Sequence, residues 1–137
     1  MTRSSAVTRN LAHTIQRYCS HPLARYIPYG LSLLIYIGSI IPGEYTPAPT
    51  VNDKLLHLLG FSALMASFRL THPRPADLNL ALAVFGFGVF IEITQWFIPY
   101  RSFSIADMIA DAAGILLATI LCKVILRLQL ETPNIHH

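Results

Sequence analysis

Five side chains of the kinds used in proton transfer and metal ligation lie inside otherwise apolar stretches of this chain. Asp53 and His57 open one stretch, Glu92 comes near the end of another, and Asp107 and Asp111 open a last one. Carboxylates and imidazole suit general acid–base work or the holding of a divalent ion. Lys54, Gln95 and Arg101 lie beside them, and Lys54 and Arg101 are suited to a phosphate. The densest part is Phe90–Gly114, where two apolar helices are expected to flank a tight polar turn, Pro99-Tyr100-Arg101-Ser102. An ionised side chain near a bilayer centre costs about 2.5–3.5 kcal/mol or more. Such groups in apolar helices therefore face protein, water or ligand, and the hairpin is expected to look outward from the membrane.

With His57 neutral, four acids against two cations leave this region at −2. A buried site does not hold that charge unaided. Carboxyls can stay protonated, with Glu92 the first candidate; a cation can bind; or the outermost acids, Asp53 and Asp107, can be hydrated. No His-Glu-x-x-His spacing is present, so the sequence leaves the metal unknown, and it names no cofactor. Serine nucleophile motifs are also missing, and Ser102 and Ser104 read as turn and cap residues.

The elements that position these groups follow from composition. The chain has 137 residues, 53% hydrophobic and only 12% charged, against roughly 25% charged in soluble domains. This points to one compact membrane domain. The net charge of +3 does not imply nucleic acid, because the basic residues lie between apolar runs rather than on one polar face. The expected fold is all-α, an integral membrane protein with four transmembrane helices and both termini cytoplasmic. Residues 1–24 form a basic arm, with a short surface helix over 11–18. Residues 25–127 form the membrane domain, with spans at about 23–41, 53–70, 78–98 and 104–126, and 128–137 form a tail. The first span is read as uncleaved and ends at Pro42-Gly43. Asn52 or Asp53 caps the second. Eight of the ten lysines and arginines fall on one side and only Lys54 and Arg101 on the other, which sets the orientation. Cys19 and Cys122 then lie on the reducing side, where no disulfide is expected.

Register sharpens the site. Asp53, His57 and Gly60 are spaced i, i+4, i+7 on one helical face, and Asp107, Asp111 and Gly114 repeat the spacing. On the antiparallel third span the order reverses: Gly88, Glu92, Gln95. His57, Glu92 and Asp111 are thus expected at similar depth, and the glycines are expected to let the helices pack closely.

Asp53-Lys54-x-x-His57 opening a helix, Glu92-x-x-Gln95, the turn with Arg101, and Asp107 followed by Asp111 and Gly114 form an ordered set. Over about residues 31–120 this set resembles the VanZ-like family of small membrane proteins. One departure is Asp111, where the family commonly has asparagine. The resemblance implies a multi-pass protein of the cell (cytoplasmic) membrane, and its namesake is associated with resistance to the glycopeptide teicoplanin.

Three functional readings remain open. Asp53, His57, Glu92, Asp107 and Asp111 can do intramembrane acid–base or metal-assisted chemistry on an envelope lipid. The same groups, with Lys54, Gln95 and Arg101 as ligand-binding residues, can bind or move a lipid or a lipid-linked precursor, and so few spans would then favour a homo-oligomer. Or they form a structural polar network in which Arg101 pairs with Asp107 or Glu92, and the protein acts through a partner. Trp96 and Tyr100 read as interfacial anchors.

Overall fold

The computed structural model describes residues 21–42, 45, 52–72, 75 and 77–130. The expected arm up to residue 20 with Cys19, most of the 43–51 loop and the tail from 131 lie outside them. Four α-helices and no strand occur among the described residues: α1 (Ile27–Ile40), α2 (Asp53–Thr71), α3 (Asp77–Trp96) and α4 (Ile105–Leu130). A 3-10 turn, Ala24–Tyr26, leads into α1.

One continuous stripe on each long helix builds the interior. In α2 it is His57, Phe61, Leu64 and Met65; in α3 it is Leu80, Val84, Gly88, Ile91, Glu92 and Gln95. In α4 it runs Asp107, Ala110, Asp111, Gly114, Ile115, Ala118 and Cys122. The three-and-four spacing puts each set on one helical face. Phe61, Leu64, Met65, Leu80, Val84, Ile91, Ile115 and Ala118 form the apolar core. The same stripes turn polar at one end, so core and polar cluster share a single interface.

The other faces are also apolar. Leu55, Leu59, Leu82, Ile93, Ile109, Leu116 and Ile120 are all exposed. Among the described residues two helices are long and apolar enough to cross a membrane, Asp77–Trp96 and Ile105–Ile125, and only 28% and 33% of their most apolar windows are buried within the bundle. The other two expected spans are less regular. Helix α1 has 14 residues, a rise of about 21 Å beside a hydrocarbon layer of about 30 Å. Pro28 lies in its first turn, and extended Ile41 ends it before Pro42. Helix α2 carries Asp53 and Lys54 at one end and Arg69 near the other.

Helices α2 and α4 make the most extensive pairing, and the glycines explain how. A Cβ on Gly114 would strike the Leu58 carbonyl oxygen and lie 3.1 Å from the Ser62 nitrogen. The Ser62 hydroxyl donates to the Leu58 carbonyl at 2.7 Å and lies 3.1 Å from that of Gly114. At Gly88 an added Cβ would fall 2.5 Å from Asp111 Oδ2 and 3.1 Å from the Phe61 ring. Gly60 differs: its Cβ would meet only Ile35, at an ordinary 3.7 Å. Close approach therefore belongs to Gly88 and Gly114, while Gly60 lies towards peripheral α1.

At the opposite end of the bundle Asp77 ties three helices together. Arg69 Nε lies 2.8 Å from its Oδ1 and Lys123 Nζ 3.0 Å from its Oδ2. Cys122, buried in the same half, has a free thiol.

The glycines give a paired prediction. Gly114→Ala must push backbone against backbone and should cost about 1–3 kcal/mol. Gly60→Ala should be neutral or stabilising by up to about 1 kcal/mol, since alanine is the better helix former. Thermal unfolding in detergent reads both, and equal losses would refute the assignment of the close contact.

Candidate functional site

The N-terminus of α2 begins where the Asn52 side chain accepts from the Lys54 amide at 3.0 Å. This cap fixes the first turn and so the direction of Asp53, Lys54 and His57. One turn deeper, His57 Nδ1 lies 2.9 Å from Asp111 Oδ1, with the two side chains 8% and 0% exposed. With Asp111 ionised and the imidazole neutral, the ring donates from Nδ1 and Nε2 keeps its lone pair. Phe61, one turn below, stacks parallel to the imidazole at 6.3 Å and is fully buried. It forms the floor that separates the polar cluster from the apolar core.

Ser104 caps α4, its hydroxyl accepting from the Asp107 amide at 3.3 Å. In the usual reciprocal box the residue three beyond the cap returns a carboxylate to the cap's own N–H. Here Glu92 of α3 takes that position, and its Oε2 accepts from the Ser104 amide at 2.7 Å. Asp107 is thereby released from capping. Its Oδ1 is buried without a hydrogen-bond partner, as are Glu92 Oε1 and Asp111 Oδ2.

The cations occupy the rim. Lys54 Nζ lies 3.9 Å from Asp107 Oδ1 and Arg101 Nη1 lies 3.9 Å from Asp53 Oδ2. Both distances are long for ion pairs, and Lys54 and Asp53 have side chains 57% and 53% exposed. The structural pairing expected for Arg101 is thus changed: its near acid is Asp53 rather than Asp107 or Glu92. The cause is the neighbouring helix end, because Arg101 Nη2 donates to the Ile41 carbonyl at 2.7 Å.

That helix end also claims Gln95. Gln95 Nε2 donates to the Ser39 carbonyl at 3.0 Å and the Tyr100 hydroxyl to that of Ile40 at 3.0 Å. Three side chains thus cap the terminal carbonyls of α1, which a helix cannot satisfy itself. By residue type Gln95 and Arg101 suit a ligand, and the structure adds this capping use. The signal was present in Pro42, which ends α1 and leaves its last carbonyls seeking donors.

Of the predicted residues, Asp53, His57, Asp107 and Asp111 are therefore brought together, with Lys54 beside them. Glu92 lies at the edge as a cap for α4, and Gln95 and Arg101 fasten α1 to the turn. Asp53, His57 and Asp107 each offer one ligand atom within 4.8 Å of the others.

The class these features define is a small all-helical bundle with membrane-type surfaces, whose interior turns polar and acidic at one end. The chain belongs to the VanZ/LLP1 family, whose model matches residues 2–127. This range is longer than the motif-bearing part and takes in the basic arm. No curated protein and no solved structure matches the chain.

Glu92 carries the prediction here. Glu92→Ala removes a charge-assisted bond of the kind worth about 1.5–3 kcal/mol and should speed amide exchange at Ser104 to Asp107. Glu92→Gln keeps an acceptor oxygen and should lose less. Hydrogen exchange followed by mass spectrometry checks both; unchanged protection in Glu92→Ala would remove the capping role.

Proposed function

We propose that the protein crosses the cell membrane four times, with both termini cytoplasmic. Its polar cluster then opens on the outer face, where the rim cation Lys54 meets the anionic headgroup of an envelope lipid or lipid-linked precursor. The observation that carries this reading is the polar end of the bundle. Buried carboxylates and an imidazole lie beneath a half-exposed rim of Asp53 and Lys54, with exposed apolar helix surface around them. Lipid tails cover the apolar faces, and a headgroup at the rim meets Lys54. Among the described residues Arg25, Arg69, Lys123 and Arg127 lie towards the other end of the bundle and favour this orientation. The short α1 is completed by its 3-10 turn and by Tyr26 and Tyr29, both exposed at that end. Membership of VanZ/LLP1 supports an envelope role, with teicoplanin tolerance as one phenotype of it.

A second reading, an intramembrane enzyme acting on the same lipid, is favoured by the His57–Asp111 pair. An imidazole oriented by a carboxylate is the arrangement of a general base. Conversion of a bound lipid by the wild type, lost in His57→Gln with the lipid still bound, would select this reading.

Native mass spectrometry after release from mild detergent tests the headgroup. The wild type should carry an anionic lipid, and Lys54→Gln should weaken it up to about fivefold, as expected for loss of up to about 1 kcal/mol at an exposed cation. Equal occupancy in both would sink the rim assignment. Expression in a teicoplanin-susceptible host should raise the inhibitory concentration, and Asp107→Asn should abolish the rise; no rise with the wild type would dissociate this member from glycopeptides.

A further inference from the structure

We propose that Asp53, His57 and Asp107 bind a divalent cation, with Asp111 as the positioning residue that fixes the His57 ring. The site goes beyond the headgroup reading, because it needs no lipid and uses the acids and imidazole beside and below the rim cation Lys54.

Three independent observations converge. The first is the donor set: two carboxylates and one imidazole from two helices, with ligand atoms all within 4.8 Å of one another. Metal–ligand bonds of about 2.0–2.2 Å require these atoms to draw in slightly. Asp53 can supply the movement, since its side chain is 53% exposed and its partner Arg101 is 3.9 Å away.

The second is an unsatisfied acceptor. Asp107 is 6% exposed, yet its Oδ1 has no hydrogen-bond partner. A buried carboxylate oxygen left in that state is costly, and the Glu92 cap on Ser104 is what leaves it free. Lys54 is the nearest cation to this oxygen, and its 3.9 Å separation and exposure make it a weak substitute.

The third lies behind the first ligands. Metal-bound histidines regularly give their other ring nitrogen to a carboxylate, which sets the tautomer and the ring plane. Asp111 stands in that relation to His57 Nδ1, on a fully buried side chain. A charge of +2 would also offset the formal excess of two negative charges in the cluster.

The donor chemistry selects the ion. Imidazole favours Zn2+ and its first-row neighbours, and paired carboxylates suit Mn2+. Mg2+ prefers all-oxygen, largely hydrated sites. The class is therefore a first-row divalent ion of the Mn2+ or Zn2+ kind.

The test uses the full chain in detergent, stripped with chelator and titrated with MnCl2 alone. Electron paramagnetic resonance should show one saturable Mn2+ per chain, displaced by Zn2+. Pulsed measurements should show one directly coordinated nitrogen. Asp111→Asn should weaken binding about 10–100-fold. Asp53→Asn, at a half-exposed position where folding is not at stake, should weaken it at least as much. Lys54→Gln should tighten Mn2+ binding by removing a competing charge, whereas it should loosen the lipid headgroup. The two proposals can therefore fail separately. No saturable Mn2+ in the wild type, bound Mn2+ without nitrogen coupling, or binding indifferent to Asp53→Asn would each overturn the metal site.

Discussion

Where α2 passes α4, Gly114 leaves no room for even a methyl group, and the Leu58 carbonyl and Ser62 backbone fill the space. Two helices that touch backbone to backbone cannot rotate or slide without losing that contact. Their register is therefore fixed, and one turn further out it brings His57 to 2.9 Å from Asp111. Gly88 performs the same service for α3, whose approach depends on there being no side chain against Asp111 and Phe61. The polar cluster is a consequence of small-residue packing. Apolar attraction between helices is weak in lipid, where the tails are as oily as the side chains, and close van der Waals fit takes its place.

Much of this was legible in the sequence. The reversal of order between Gly88-Glu92-Gln95 and the two Asp-led stretches correctly implied antiparallel neighbours with polar groups at one end. The helix positions of α2, α3 and α4 followed from apolar runs and their punctuation. Other features were not legible, because they depend on how distant backbone groups meet. Nothing in the spacing distinguishes Gly60 from Gly88 and Gly114; only the neighbour across the interface does. Gln95 and Arg101 read as ligand residues by type, and their types carry no sign of a capping use. The carbonyls of Ser39 and Ile41 that they satisfy lie on a helix 56 and 60 residues away. Likewise the spacing of Ser104 and Asp107 reads as a self-contained cap, and only the fold shows that Glu92 has displaced the aspartate.

That displacement divides labour among the acids. Glu92 is tied to a backbone N–H and Asp111 to an imidazole, whereas Asp107 and Asp53 keep oxygens with weaker claims on them. Chemical capacity is concentrated in the pair nearest the open end, and the deeper acids hold the frame. A bundle this small has few residues to spare for orientation, and it draws capping side chains at the helix ends and the glycines Gly88 and Gly114 into that task.

The Glu92–Ser104 bond also bears on the order in which the chain is assembled. It closes across only 12 residues, whereas His57 and Asp111 are separated by 54. A hairpin of α3 and α4 can therefore satisfy Glu92 and its own helix start before meeting α2. Handed to a membrane as one hairpin, these two helices, both long and apolar enough to cross, would enter with the turn already formed. The acidic cluster would be completed only when α2 docks against Gly114, so the last packing event of biogenesis would also be the one that creates the site.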